Sequence, residues 1–396
     1  MKKIGLLPRL IIGLILGIVI GNLGMPVLVR LLATFNGIFG NFLGFIIPLI
    51  IIGFIVPGIA DLGTSAGKLL GITTLIAYGS TIVAGCLAFF TNHALLHNFI
   101  GSGGAMKFGN PEEGLLKGFF VIDMPPIMGV MSALLIAFTL GIGIAVCNGV
   151  TLKGMMHEFQ SIVEKVIGSI IIPLLPLHIC GIFANMTYAG QIVAIMSVFA
   201  KVFLVIICLH IIILLVQYTI AGTIAGGNPI TLLKGMIPAY LTAIGTQSSA
   251  ATIPVTLAST KRNGVKDGIA DFVIPLCATI HLSGSTITLT SCTMAVLLLH
   301  GKPIEFGNMI GFILMLGVTM VAAPGVPGGA VMAALGILQS MLGFGPEQQA
   351  LMIALYLAQD SFGTACNVTG DGAIAVLVNK IAGNKLEPKT AEEVGE

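Results

Sequence analysis

Charge is what this sequence has least of. Lysine, arginine, aspartate and glutamate make up 9% of its 396 residues, whereas about a quarter of an ordinary soluble domain is charged. With 56% of residues hydrophobic and a mean hydropathy of +1.06, a water-soluble fold is excluded. The alternating segments of roughly ten residues that mark a membrane β-barrel are missing too, while apolar runs of helix-spanning length recur. Only helices and closed barrels satisfy backbone polar groups inside a bilayer, so the chain reads as an all-α polytopic membrane protein. A net charge of +2 gives no electrostatic reason to expect a nucleic-acid or acidic partner.

Other absences narrow the chemistry. The seven cysteines (86, 147, 180, 208, 277, 292 and 366) lie in apolar stretches without CxxC or metal-ligand spacing, so they read as packing thiols. No nucleophile is paired with a base, which argues against a membrane-embedded enzyme, and no cofactor is expected. The glycines of GSGGAMKFGNPEEG follow no strand, so nucleotide binding is unsupported. His93 and His97 have metal-compatible i, i+4 spacing but no carboxylate or cysteine beside them, and an interfacial role is expected. The basic, apolar start MKKIGLLPRLIIGLILGIVIG lacks a cleavage site and reads as a retained first helix; its Gly13, Gly17 and Gly21 imply close helix packing.

Apolar segments long enough to cross fall near 8–33, 38–58, 68–91, 119–147, 160–187 and 191–221. Pro173 and Pro176 are expected to kink the fifth. Placing the N-terminus in the cytoplasm puts most of the Lys and Arg residues inside, among them Lys153, Lys234, Lys261, Arg262, Lys266 and Lys380. The expected location is a plasma membrane, the bacterial inner membrane, with both termini cytoplasmic and the acidic 384–396 as a cytoplasmic tail.

From residue 228 the texture changes. Residues 228–262 are apolar but broken in the middle by TQSSAAT, and each flank is too short to cross alone, so they read as a re-entrant hairpin. A crossing at 264–299 is interrupted by HLSGST; a second hairpin at 304–343 is broken by APGVPGG; a last helix occupies 346–380. Interrupted hairpins, each followed by a helix bearing polar residues, point to an inverted repeat with a binding site at the bilayer midplane. Residues 228–383 are thus the expected transport core. Residues 1–221 form mainly scaffold helices, of which the third and sixth are free to travel with the core. The expected total is eight transmembrane helices plus two hairpins.

The last helix carries QDSFGTACNVTGD, in which Asp360, Gly363, Thr364, Asn367 and Asp371 share one face at 100° per residue. A carboxylate in mid-membrane costs at least about 2.5 to 3.5 kcal/mol on insertion scales, so each aspartate needs a partner. No Lys, Arg or His precedes Lys380 in this helix, and the partner must come from elsewhere in the fold or from a ligand. Asp371 beside Asn367 suits a small alkali cation, and Asp360 suits an ammonium group. Half-helix N-termini at the tips, with Ser248, Ser249 and Thr252 at the first and Gly325, Gly328 and Gly329 at the second, suit a carboxylate. Together these describe an amino acid.

At these residues the chain resembles the dicarboxylate/amino acid:cation symporter family, the glutamate-transporter family. TQSSAATIPVT is similar to its serine-rich first hairpin, ATIHLSGST to its ATINMDGT, APGVPGG to its second-hairpin AGVPG, and DSFGTACNVTGD to its last-helix motif. The resemblance implies an elevator-type secondary transporter, a homotrimer in the bilayer. It assigns substrate contacts to Ser249, Ser285, Val326, Ala330, Asp360, Gly363, Thr364 and Asn367. It assigns sodium to Asn367 and Asp371, and a second sodium to Thr279 with the backbone near Met320 to Ala323.

The departures from the family concern substrate and ions. Where acidic-amino-acid members carry an arginine three residues after the first aspartate, this chain has Gly363, and Gln247 stands where some members have another arginine. A second substrate carboxylate would lack a guanidinium, so a small neutral amino acid is expected: serine or threonine, with alanine admitted. QDS at 359–361 also resembles the bacterial serine/threonine:sodium symporters of the family. His281 and Ser283 replace the Asn and Asp of NMDGT, so fewer coupled sodium ions are expected; the third-helix candidates are Thr73, Thr74, Tyr78, Ser80 and Thr81. His281 keeps proton coupling open, although a neutral, hydrogen-bonding histidine is the expected state. The alternatives are a dicarboxylate or acidic amino acid symporter coupled to sodium or protons, and an ion channel.

Overall fold

Proline and glycine decide where the helices of this chain stop. The computed structural model describes residues 6–62, 67–101, 115–190, 192–321, 323 and 327–382. Gly325 and Val326 of the second tip, the linker at 102–114, the His97 side chain and the tail at 384–396 lie outside the described residues. Helix α1 (Leu6–Asn22) ends before Gly24, whose φ of +65° disfavours a side chain, and α2 (Pro26–Leu62) opens on a proline suited to a first turn. The break thus comes well before residue 33, and α2 runs unbroken through 33–38.

Helix α3 (Gly67–Gly101) is followed by a second departure from expectation. Residues 119–129 are not helical, because Pro125 and Pro126 stand in the way, and α4 (Val130–Cys147) starts only after them. Side chains satisfy the backbone of this segment. Thr34 Oγ1 accepts from Phe119 N at 2.8 Å, and Asn41 Nδ2 donates to Ile122 O at 2.6 Å. Asn185 clasps Leu116 through both amide atoms, at 2.9 and 3.0 Å. Helix α5 (Val150–Val166) passes through a π-helical turn, Ile167–Ile171, into α6 (Ile172–Tyr188), so this crossing begins before residue 160. The widened turn precedes Pro173 and Pro176, whose rings need room against the preceding turn.

Helix α7 (Ile192–Ala225) closes the first half. The first hairpin is α8 (Pro229–Gly235) and α9 (Ile237–Thr246), then α10 (Ser249–Arg262). Asn228 caps α8 by accepting from Ile230 N and Thr231 N, and Ser248 caps α10 by accepting from Ala251 N. Helices α11 (Asp267–Ile280) and α12 (Ser283–Leu299) are parted at His281 and Leu282. The second hairpin is α13 (Phe306–Val321) and α14 (Gly329–Leu342), and α15 (Pro346–Ala382) runs without a break. Among the described residues no strand forms.

Packing separates outer helices from a polar core. Helix α1 lies on α6, where Gly13, Gly17 and Gly21 face the carbonyls of Pro176, Cys180 and Ala184, one turn apart on each helix. A Cβ on Gly17 would overlap the Cys180 carbonyl. Gly17→Leu is therefore expected to part α1 from α6 at a cost of about 1 to 3 kcal/mol. The check is a lower temperature for labelling of the buried Cys180 thiol. In contrast, α12 is buried on every side except at Leu298, serines and threonines included, and α15 packs against α12, α7, α9, α10 and α11. The periphery exposes Ile11, Ile15, Leu75, Val83, Leu204 and Ile211, an apolar surface that lipid covers and water would not tolerate. Five described spans are long and apolar enough to cross a membrane: Pro26–Ala60, Leu69–Leu95, Val150–Tyr188, Val198–Ala225 and Asp267–Leu299.

Candidate functional site

Helix α15 brings its polar residues to two helix N-termini. Asp360 Oδ2 accepts from the backbone N–H of Gly328 at 2.7 Å. Gly328, with φ +75°, is the N-cap of α14, so the carboxylate stands at the positive end of that helix. Asn367 does the same at α12, its Oδ1 accepting from Gly284 N at 2.8 Å and Ser285 N at 3.2 Å. At the second hairpin tip α15 thus supplies an acceptor for one of the N–H groups, that of Gly328, and at the start of α12 it supplies one for two.

The remaining bonds gather on Ser285. Its Oγ accepts from Tyr356 OH at 2.8 Å and from Asn367 Nδ2 at 2.9 Å. Thr364 Oγ1 donates to Asp360 Oδ1 across 3.4 Å, and the Tyr356 hydroxyl is hydrogen-bonded to the same carboxylate. Asp360, Thr364, Asn367 and Ser285 are all buried. A Cβ on Gly363 would lie 3.6 Å from Thr288 Oγ1 and 3.7 Å from Ser285 N, which directs position 363 at the start of α12, beside the same serine. Ser249 and Ala330 are buried in the first turns of α10 and α14. Thr279 stands apart, exposed near the end of α11, its hydroxyl donating to Leu276 O at 2.8 Å.

Asp371 finds its partner at the break between α11 and α12. His281 Nδ1 lies 2.9 Å from Asp371 Oδ1, with both side chains almost wholly buried. The Nε2 side of the ring faces Ser80 Oγ at 3.1 Å, and Gln217 Nε2 donates to Ser80 Oγ at 2.9 Å and to Ser283 Oγ at 3.2 Å. A proton on Nδ1 satisfies this chain, with the Ser80 hydroxyl donating to Nε2. Asp371 Oδ2 is buried and accepts from no described residue, an open acceptor that fits a cation. Of the third-helix candidates only Ser80 joins this cluster. Thr73 and Thr81 bond their own helix, Tyr78 OH donates to Leu314 O, and Thr74 Oγ1 has no partner among the described residues.

Sequence reasoning missed Tyr356 and Gln217. Neither residue type signals a site, and only the tertiary approach of α7, α12 and α15 gives them partners. Two further buried bonds tie α7 to the same core: His210 Nε2 lies 3.0 Å from Gly284 O, and Tyr218 OH donates to Thr369 O at 2.8 Å. Among the described residues no group of His, Cys, Asp or Glu is arranged to hold a metal ion on its own, and His93 stacks on Phe89. The seven cysteines are all free.

An apolar helical exterior around buried carboxylates, hydroxyls and broken helices defines a multi-pass membrane transporter. The chain belongs to the sodium:dicarboxylate symporter family, whose model matches residues 6–381. It is a symporter of a sodium-coupled family and not an enzyme. Among similar proteins are serine/threonine transporters SstT of Acinetobacter baumannii. That of strain AYE is 26% identical over 386 residues, covering 93% of this chain and 95% of the relative, and that of strain SDF is 27% identical over the same shares.

Proposed function

We propose that this protein takes up a small neutral amino acid, serine or threonine with alanine admitted, coupled to sodium, across the bacterial inner membrane. The observation that carries this reading is the lack of a buried base: no lysine or arginine is buried among the described residues. Of the buried histidines, His281 is engaged by Asp371 and His210 by Gly284 O. A second substrate carboxylate near Gly363 would be left unpaired, at a cost of several kcal/mol. The relatives' printed substrates, serine and threonine, agree with that reasoning.

The substrate ammonium group goes to the Asp360 carboxylate, with Thr364 and Tyr356 bonded to it, Ser285 and Asn367 linked to it through Tyr356, and Ser249, Val326 and Ala330 at the two tips. Sodium travels as a second substrate. Asp371 Oδ2 supports one position, where Asn367 contributes by holding the start of α12, and Thr279 with the backbone near Met320 to Ala323 forms the other. The elevator mode has residues 228–383, with the third and sixth crossings bonded to them, moving against the remaining scaffold of 1–221 in a homotrimer. Eight crossings leave both termini in the cytoplasm. Competition tests the substrate: unlabelled threonine should displace labelled serine, and glutamate should not. Gly363→Arg should cut serine uptake by at least about tenfold, because the guanidinium enters the space beside Ser285 and Thr288; uptake as in the unmodified protein would contradict the placement.

A further inference from the structure

A cavity of about 460 Å³ lies where two membrane spans terminate, at the end of Val198–Ala225 and the start of Asp267–Leu299, and none of the site residues above lines it. Three pieces of chain enclose it: the turn after α7, the turn from α10 to α11, and the end of α15. Asn263 Nδ2 donates to Leu232 O at 2.8 Å and Asn379 Oδ1 accepts from Lys266 N at 3.2 Å, so side chains fix the frame. Gly226 and Gly264 have φ of +79° and +85°, and a Cβ on either would meet nothing within 4 Å, which leaves the rim open at both turns.

The lining has two chemistries. Leu232, Val265 and Val376 form an apolar wall, while Lys266, Asn379 and Lys380 bring donors. Lys380 Nζ and Asn379 Nδ2 bond to no described residue. A basic residue in the last turn of a helix offsets its negative end, which accounts for Lys261 and Arg262 on α10 and for Lys380 on α15. Lys266 has no such reason, because it is the N-cap of α11 and stands at that helix's positive end. A cation there is disfavoured unless an anion faces it. Asp267 and Asp271 in the first turns of α11 are engaged by Lys261, at 3.6 and 2.8 Å. Ile224 and Ile230, on the elements that frame the cavity, are exposed on the apolar surface that lipid covers.

We propose that this cavity binds the phosphate headgroup of an anionic phospholipid, with Lys266, Lys380 and the Asn379 amide on the phosphate and the apolar wall against the glycerol and the first acyl carbons. Basic pockets between membrane helices suit such headgroups. A free phosphate would use the lysines and leave the apolar wall without a partner. Because the cavity is enclosed by α7, the first hairpin and α15, a lipid seated there holds the three together and stabilises the fold by mass action.

The test titrates dioctanoyl phosphatidylglycerol into the full chain in a neutral detergent and follows the unfolding temperature with a thiol-reactive dye at the buried Cys277, Cys292 and Cys366. A saturable rise is expected, with no rise from dioctanoyl phosphatidylcholine or inorganic phosphate at the same concentrations. Lys266→Gln and Lys380→Gln should each raise the midpoint of the titration roughly 5-fold, and together roughly 30-fold. Lys234→Gln removes an equal charge from α8 outside the cavity and should change the midpoint by less than about twofold, because exposed charges are screened. A purely structural role for the two lysines would lower the unfolding temperature without lipid and leave the midpoint in place, which overturns the proposal. No rise with phosphatidylglycerol, an equal rise with phosphatidylcholine, or a Lys234→Gln effect as large as that of Lys266→Gln overturns it as well. Inorganic phosphate matching phosphatidylglycerol overturns the lipid assignment. The readout involves no transport, so its failure leaves the substrate reading untouched.

Discussion

Asp360→Asn should lower kcat/KM for serine by roughly 100-fold or more while leaving the second hairpin in place. The carboxylate holds the Gly328 N–H and, on the proposed reading, pairs with the substrate ammonium group; asparagine separates the two. Its amide oxygen can still accept from Gly328 N–H, as Asp360 Oδ2 does at 2.7 Å, so the tip of α14 keeps its acceptor. The negative charge that would pair with an ammonium group is gone. A hydrogen bond to a charged group contributes about 1.5 to 3 kcal/mol, or roughly 10- to 150-fold. Asp360→Ala should be as inactive and should also loosen the hairpin, seen as faster proteolysis or hydrogen exchange around 327–330. Serine affinity retained in Asp360→Asn, measured by calorimetry, would remove the ammonium assignment.

His281→Ala should destabilise the protein by about 3 to 5 kcal/mol, because it leaves Asp371 buried with neither oxygen bonded to the protein. The chain has no tryptophan, but Cys277, Cys292 and Cys366 are buried, so a thiol-reactive dye reports unfolding on heating. His281→Leu combined with Asp371→Leu should recover much of the lost stability, since both polar partners are replaced together, yet should not transport. A His281→Ala protein as stable as the unmodified one would mean that the Asp371 contact contributes nothing to the fold. Sodium protecting His281→Ala more than the unmodified protein is the expected companion result, because the vacated Asp371 oxygen then has only the ion to pair with.

Much of the second half was legible because its signals are local. TQSS, HLS and APGVPGG interrupt apolar runs, and helix breaks fall at Gln247 and Ser248, at His281 and Leu282, and between Val321 and Gly329. The four-residue spacing of Gly13, Gly17 and Gly21 likewise foretold a close crossing. Boundaries in the first half were harder to read. Hydropathy does not register the turn at Gly24, and Phe119 to Ile122 look helical until Pro125 and Pro126 are weighed against them.

Partners were the least legible. The group that meets Asp360 is a backbone N–H, which nearly every residue carries, so no residue type at 328 announces it. His281 and Asp371 are 90 positions apart and meet only because α11 ends beside α15. The sequence read His281 as a replacement within a motif, and the fold makes it the counterpart of the second aspartate. A side chain added at Gly363 would point toward Ser285 and Thr288, a direction that spacing along the helix does not give.

The most direct measurement is accumulation of labelled serine in proteoliposomes under an inward sodium gradient, with glutamate and aspartate as competitors. Accumulation above the equilibrium level that collapses with the sodium gradient and resists both acidic competitors is the predicted result. Serine uptake indifferent to sodium, or displacement of serine by glutamate at comparable concentration, would contradict it.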